Sequence, residues 1–139
     1  MQKNLTIRHN ELTAEEFITL WSSVWGGAPS KEQTALAMQH SVFRVSVFDG
    51  DTIAAMARVI GDLGLCYYIK DVVVRPEYQG QGLGRLMINE ILQFIRSHGV
   101  PGTDIAVELC AMPDKMPFYE KFGFHHNEAQ RQRLMLHIE

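Results

Sequence analysis

A valine run followed at once by alternating glycines constrains the fold of this chain more than any other stretch. The run predicts the tail of a buried strand and consists of Val72, Val73 and Val74. Pro76 stops that strand, because proline lacks the amide donor that a sheet needs. Gly80, Gly82 and Gly84 then occupy every second position. Glycines in such a row adopt positive φ and let a ligand approach the backbone closely.

The residues after the glycines follow a helical pattern. Apolar side chains recur at three- and four-residue spacing at Leu83, Leu86, Met87, Ile91, Phe94 and Ile95. The start of a helix carries N–H groups without partners and a partial positive charge. The order strand, glycine loop, helix therefore predicts a site for an anion, most often a phosphate.

Two widespread phosphate-binding loops do not fit this stretch. A P-loop is absent, because no Lys-Ser or Lys-Thr pair follows a glycine. The dinucleotide fingerprint Gly-x-Gly-x-x-Gly fails because Arg85 stands where the third glycine would fall. A Rossmann-type nucleotide-binding domain would need the fingerprint that Arg85 interrupts.

The loop matches a different pattern, Gln-x-x-Gly-x-Gly, formed by Gln79, Gly82 and Gly84. A second motif follows downstream, Phe-Tyr-Glu-Lys-Phe-Gly-Phe at residues 118–124. In this order the two motifs resemble the GNAT superfamily of N-acetyltransferases. Members of that superfamily carry a pyrophosphate loop Arg/Gln-x-x-Gly-x-Gly/Ala and a later Phe-Tyr-x-Lys-x-Gly-Phe segment. The resemblance covers residues 52–126, and the first 50 residues match only in general arrangement.

Length and composition limit the number of domains, the class of partner and the cellular compartment of this chain. A chain of 139 residues predicts one domain over residues 1–139. The net charge of −3 argues against a nucleic-acid or anionic-membrane partner. Neither a membrane-length apolar run nor a signal peptide is visible, so we expect a cytoplasmic protein. Cys66 and Cys110 each lie in a strand-like run and are predicted to be buried free thiols.

The pattern of elements predicts the order β, α, α, β, β, β, α, β, α, β. Hairpin-linked strands precede one crossover, so the sheet is mixed and mostly antiparallel. The strand that ends at Val74 and the strand at 103–110 flank the crossover and should be parallel neighbours. The resemblance implies an α/β (α+β) GNAT-like fold of about six to seven strands and about four helices. It also implies that the parallel pair splays apart at the centre of the sheet.

The resemblance implies acetyl-CoA as co-substrate, lying in the gap between these two strands. The loop amides would hold the pyrophosphate, at Gln79, Gly80, Gln81, Gly82, Leu83, Gly84 and Arg85. The pantetheine arm would pair with the backbone of Val72, Val73 and Val74, and the N–H of Val73 would face the thioester oxygen. The structural alternatives are a tight strand-to-helix turn and an ordinary core strand. No metal is expected.

Tyr119 lies in the second motif, where the family tyrosine sits near the CoA sulfur and protonates the departing thiolate. A phenol with a pKa of about 10 suits a thiolate of similar basicity. The alternative is an aromatic residue that packs between helix and sheet. Met112 stands where many members carry an asparagine that contacts the cofactor, so that contact is lost or supplied differently.

The general base is open between Asp71, Glu108 and a chain of water molecules. By strand alternation, Asp71 should share a face with Tyr67, Ile69 and Val73. The alternative is that Asp71 binds a backbone amide or a basic partner. Arg58 is either an inward charge for an acidic acceptor or an ordinary surface arginine.

These features predict an N-acetyltransferase that moves an acetyl group to a primary amine of a small molecule by direct attack in a ternary complex. The alternative is a non-catalytic acetyl-CoA-binding regulatory module, which would lack the acid and the base. Small members of the family are often homodimers, so the resemblance implies a second copy as partner. The alternating Leu134, Leu136 and Ile138 predict a last strand with an exposed edge for that pairing.

Overall fold

The structure is a computed structural model that describes residues 4–125. The described strands are β1 Leu5–His9, β2 Phe43–Asp49, β3 Thr52–Gly61, β4 Cys66–Val74 and β5 Ala106–Leu109. The described helices are α1 Ala14–Trp25, α2 Lys31–His40, α3 Leu83–His98 and α4 Met116–Glu120. Short 3-10 turns precede the glycine loop and α4, at Pro76–Tyr78 and Pro113–Lys115. The chain divides into two compact units, Met1–Leu109 and Cys110–Glu139, and α4 belongs to the second.

The strands form one mixed sheet in the order β1-β2-β3-β4-β5. Neighbouring strands are antiparallel except β4 and β5, which are parallel as predicted. The mixed α/β class and the four helices are confirmed. The five described strands are fewer than the six to seven predicted, and β5 of the parallel pair is the last of the five. The central position of the pair stays a prediction. The predicted strand at 134–138, and with it the predicted dimer edge, lies outside the described residues.

The sequence pairs Thr13-x-x-Glu16 and Ser30-x-x-Gln33 are capping-box patterns that predict the starts of the first two helices, and local hydrogen bonds form at both. At α1 the Thr13 side chain accepts from the Glu16 amide at 3.2 Å, and the Glu16 carboxylate accepts from the Thr13 amide at 3.0 Å. This is the predicted capping box. At α2 the Ser30 hydroxyl accepts from the Gln33 amide at 3.1 Å. Each cap satisfies an N–H group that the helix itself leaves unpaired.

Helices cover both faces of the sheet within the first unit. On one face α1 and α2 bury an apolar cluster of Leu12, Phe17, Leu20, Met38, Phe48, Ile53, Met56 and Val73. On the other face Phe94 of α3 stacks on Phe43, with ring centroids 4.5 Å apart. Its ring also meets the edge of Tyr67 at 6.4 Å. The sheet is therefore held between two apolar layers.

Strand β4 contains one extra residue relative to β3. Arg58 pairs with Lys70, whereas Met56 pairs with Val73, so two residues of β4 oppose the single residue between them. This is a β-bulge at Asp71, whose φ of 54° lies in the left-handed region. Aspartate is among the few non-glycine residues that occupy this region readily.

The bulge changes which face of the sheet the side chains occupy. Tyr67 and Ile69, before it, lie on the α3 side, where Tyr67 meets Phe94. Val73, after it, lies in the cluster under α1 and α2. The prediction that Asp71 shares one face with all three is therefore wrong, because strand alternation holds only while the register is unbroken.

The two cysteines are free thiols, but both are exposed, so their predicted burial is wrong. Cys66 is the first residue of β4 and Cys110 follows the last residue of β5, where side chains reach solvent at the strand ends. Within residues 4–125 there is no helix with both the length and the apolar character that a membrane crossing requires. The single domain over residues 1–139 stays a prediction.

Candidate active site

Strand β5 pairs with only the first part of β4. The parallel register runs from Cys66 opposite Ala106 to Ile69 opposite Leu109 and ends there. Beyond Ile69, β4 continues to Val74 and pairs on its other side with β3. The segment Val72–Val74 therefore has no described strand on the side that β5 leaves. Such an edge is what an extended ligand needs in order to add backbone hydrogen bonds.

The glycine loop leads directly into α3. Gly82 is the N-cap of that helix, with φ 86° and ψ 8°, and Gly80 has φ 77°. A Cβ at either position would meet no atom within 4 Å. Glycine is therefore required here by the left-handed backbone, and the space in front of the loop is open.

The N-terminus of α3 has no capping side chain, because its N-cap is glycine. No described residue accepts a hydrogen bond from the first-turn amides of Leu83, Gly84 and Arg85. Arg85 is exposed, is the one charged residue among positions 79–85, and forms no ion pair with a described residue. The loop thus presents amide donors and a cation together, as an anion site does.

The two glutamines of the loop brace its backbone. The Gln79 side chain donates to the Val74 carbonyl at 3.0 Å, and the Gln81 side chain donates to the Glu77 carbonyl at 3.1 Å. Gln79 stands where many family members carry arginine, and in this chain its amide ties the loop to the end of β4. The anion contacts are then left to the backbone amides and Arg85.

Asp71 forms an ion pair with Arg58. The Arg58 Nε donates to Asp71 Oδ2 at 2.6 Å, and each side chain is 15% exposed. Arg58 Nη1 also donates to the Ser41 hydroxyl at 3.3 Å, and that hydroxyl donates to the Ala37 carbonyl in α2 at 2.7 Å. Of the alternatives for Asp71, the basic partner is present, and Arg58 is neither a surface residue nor unpaired. Asp71 Oδ1 accepts no hydrogen bond from a described residue.

Glu108, the second candidate base, lies on β5 opposite Tyr68 and is exposed. It belongs to the paired part of the two strands, whereas Asp71 lies beyond the last pair. The choice of base stays a prediction.

Tyr119 lies in the second unit, on α4, and is half-buried. Its ring meets the edges of Phe118 at 5.0 Å and Phe124 at 6.2 Å. Burial raises the pKa of Tyr119 above its ordinary value, so the phenol holds its proton through neutral pH. Its role as the acid stays a prediction.

Met112 is exposed, and its carbonyl accepts from the Lys115 amide at 2.8 Å in the turn that leads into α4.

Three features of this region are not predictable from the local sequence. They are the bulge at Asp71, the contact of Arg58 with Ser41, and the hydrogen bond from Tyr78 to Asp49. Each joins residues that are distant in sequence or depends on strand register. For residues 4–125, no group of three or more His, Cys, Asp or Glu side chains is placed to hold a metal ion.

Comparison with known proteins finds relatives that are named as N-acetyltransferases. The chain is 32% identical over 104 residues to an uncharacterized N-acetyltransferase, ycf52, of Porphyra purpurea, covering 72% of this chain and 57% of that protein. It is 41% identical over 63 residues to a glucosamine 6-phosphate N-acetyltransferase of Trypanosoma brucei brucei, covering 45% of this chain and 40% of that protein. The chain thus spans less than two thirds of the length of either of these curated relatives.

A solved structure from meticillin-resistant Staphylococcus aureus, described as a probable acetyltransferase, superposes with a TM-score of 0.83. It is 26% identical to this chain, and the match covers 97% of this chain and 100% of that one. The profile of the acetyltransferase (GNAT) family matches residues 10–124, which include the glycine loop, β4 and the tyrosine motif. This chain belongs to the GNAT family of acetyltransferases.

Proposed function

We propose that the chain is an acetyl-CoA-dependent N-acetyltransferase that acetylates the primary amine of a small molecule by direct attack in a ternary complex. One observation carries the proposal. A short turn and the glycine loop connect the end of β4, which has no described partner on one side, to the uncapped N-terminus of α3. Phosphate and an extended arm are the two parts of CoA that such neighbours would bind. Membership of the family supports the same reading.

The residues present fit the pyrophosphate of CoA. An anion at the start of α3 would accept hydrogen bonds from the first-turn amides of Leu83, Gly84 and Arg85. No described side chain caps these amides. The open space at Gly80 and Gly82 lets the anion approach the backbone. Arg85 adds one positive charge at the surface.

The end of β4 would orient the reacting group. Acetyl-CoA supplies the acetyl group as a thioester. The backbone of Val72, Val73 and Val74 would align the pantetheine arm as an added strand. The Arg75 amide donates to the Ala54 carbonyl in β3, so by alternation the Val73 amide also faces β3. The donor to the carbonyl oxygen would therefore be an amide on the open side, that of Val72 or Val74, and not that of Val73 as predicted.

Asp71 Oδ1 is an acceptor for the incoming ammonium, while Arg58 holds Oδ2. The ammonium would first lose a proton to Asp71, to Glu108 or to water. The neutral nitrogen would then bond to the acetyl carbon while the C–S bond breaks, and Tyr119 would protonate the leaving sulfur.

A covalent acetyl-enzyme is not part of the proposal. The negative charge of Asp62 is the main cause that raises the pKa of Cys66, with partial desolvation and a hydrogen bond to Asp62 adding to it, so this thiol is poorly ionised at neutral pH. Its Sγ lies 3.8 Å from Asp62 Oδ2, and the lowered pKa of Asp62 makes that carboxylate a weak base toward the thiol. A thiol in that setting is a weak nucleophile.

The acceptor panel should begin with amino sugar phosphates, since one relative is named for glucosamine 6-phosphate. Polyamines, arylalkylamines and peptide N-termini complete the panel. We expect transfer to at least one small primary amine, with initial-rate lines that intersect when both substrates are varied. Parallel lines, or acetyl-cysteine trapped without acceptor, would contradict direct transfer.

Calorimetry separates the remaining alternatives. We expect acetyl-CoA to bind and NAD and ATP not to bind. Binding of acetyl-CoA together with no transfer across the panel would favour the regulatory module. Failure of acetyl-CoA to bind would exclude both readings.

A further inference from the structure

A hydrogen bond joins the base of the glycine loop to the β2–β3 hairpin. Tyr78 is the last residue of the turn before the loop and is 8% exposed. Its hydroxyl donates to Asp49 Oδ2 at 2.6 Å. Asp49 is the last residue of β2, and its Oδ1 accepts from the Asn4 amide at 3.2 Å. The Asp49 carboxylate therefore connects the base of the glycine loop to the end of β2 and to Asn4, the residue before β1.

The same hairpin holds the turn at a second point. The β2–β3 register shifts between Val47 and Phe48, so Ala54 has no partner in β2. The Ala54 carbonyl accepts from the Arg75 amide at 2.8 Å, and the neighbouring Ile53 carbonyl accepts from Arg75 Nε at 2.9 Å. The turn Pro76–Tyr78 is therefore fixed to the hairpin at its entry by Arg75 and at its exit by Tyr78.

We infer that Asp49 is a positioning residue for cofactor binding, acting through Tyr78 to hold the glycine loop where its amides meet the pyrophosphate. This rests on the proposed function, because it assumes that the loop binds CoA. A short bond to a charged acceptor is the stronger kind of hydrogen bond. Tyr78 stands immediately before the segment 79–85, whose glycines allow many backbone conformations. Without the bond, more of those conformations are accessible before binding, and affinity falls.

The inference concerns only the pyrophosphate half of the cofactor. The edge Val72–Val74 is held by pairing with β3 and does not depend on Tyr78. S-acetyl-pantetheine carries the arm and the thioester but lacks the pyrophosphate. Loss of the Tyr78–Asp49 bond should therefore weaken acetyl-CoA binding and leave S-acetyl-pantetheine binding unchanged.

The experiment is calorimetric titration of both ligands into the full chain and four variants. Tyr78→Phe removes the hydroxyl and keeps the ring, and Asp49→Ala removes the acceptor. Asp49→Asn keeps an acceptor oxygen. Asp51→Ala is the control, because Asp51 is exposed in the same hairpin and its side chain bonds to no described residue. Tyr78→Phe and Asp49→Ala should each weaken acetyl-CoA about three- to tenfold, and the double variant no further. Asp49→Asn should lose less acetyl-CoA affinity than Asp49→Ala, and Asp51→Ala should lose none.

Unchanged acetyl-CoA affinity in Tyr78→Phe would overturn the inference, and so would an equal loss for both ligands, which indicates general loosening of the fold. Either result leaves the proposed function intact, because the unaltered chain still binds acetyl-CoA. Failure of the unaltered chain to bind acetyl-CoA would overturn the proposed function and the inference with it. If Asp49→Ala does not fold, Tyr78→Phe with its preserved ring decides the question alone.

Discussion

Arg58 Nε lies 2.6 Å from Asp71 Oδ2, and each side chain is 15% exposed. The pair depends on the bulge, because the positive φ of Asp71 turns its side chain onto the face of the sheet that Arg58 occupies. Arg58 in turn reaches Ser41, at the end of α2. The candidate base is thereby connected to the second helix through one guanidinium group.

Removing one partner of this ion pair should lower the free energy of unfolding more than removing both. Arg58→Met leaves the Asp71 carboxylate poorly solvated, and we expect the free energy of unfolding to fall by about 3 kcal/mol. The double variant with Asp71→Asn should recover part of that loss, because no unpaired charge remains. Urea denaturation measures both changes. Strictly additive losses in the double variant would show that the two side chains do not interact.

A negative charge at the start of α3 should oppose binding of CoA. Gly82→Asp adds a carboxylate at the N-cap, and we expect acetyl-CoA affinity to fall more than about tenfold, which is about 1.4 kcal/mol. Gly82→Asn is the matched control, since it shares the strain at φ 86° and lacks the charge. Titration of both variants separates charge from strain. Equal affinities for the two would mean that the anion lies elsewhere.

Tyr119→Phe should slow the chemical step and leave cofactor affinity unchanged. General-acid contributions are about 10²–10⁴-fold, so we expect at least a tenfold fall in single-turnover rate at saturating acetyl-CoA. Because burial raises the pKa of Tyr119, the rate should fall on the alkaline side only above pH about 10, and this limb should vanish in the variant. An unchanged rate would remove Tyr119 from the mechanism.

Asp62 should stabilise the β3–β4 turn except in acid. Its Oδ1 accepts from the amides of Gly64 at 2.9 Å, Leu65 at 2.8 Å and Cys66 at 3.1 Å. Hydrogen bonds from Cys66, Gly64 and Leu65 lower the pKa of Asp62. A lowered pKa in the folded state gives stability that is present above the unfolded pKa of about 3.9 and lost as pH falls through the folded value.

Asp62→Ala should therefore lower the thermal midpoint at pH 7, and the difference from the unaltered chain should shrink below pH about 4. Asp51→Ala, exposed in the other hairpin, should change little. Asp62→Asn should also speed alkylation of Cys66, because the charge of Asp62 raises the pKa of that thiol. A difference that persists unchanged into acid would contradict the role of the ionised carboxylate.

Several elements could be predicted because their causes lie within a few neighbouring residues. The capping box at Thr13 depends on two side chains three positions apart, and the glycine loop depends on residues that permit positive φ. The parallel placement of β4 and β5 follows from the crossover between them. The burial of Cys66 and Cys110 was mispredicted, because an apolar neighbourhood in sequence does not say where a strand ends.

By itself the sequence determined the strand, loop and helix of the candidate cofactor site, since backbone conformation and helix capping are local properties. The tertiary structure alone decided the face on which Asp71 lies, its pairing with Arg58, and the bond from Tyr78 to Asp49. A single extra residue in β4 reverses the side-chain alternation after it, and no glycine marks the position. The other two contacts join positions brought together by strand register, which sequence spacing does not encode.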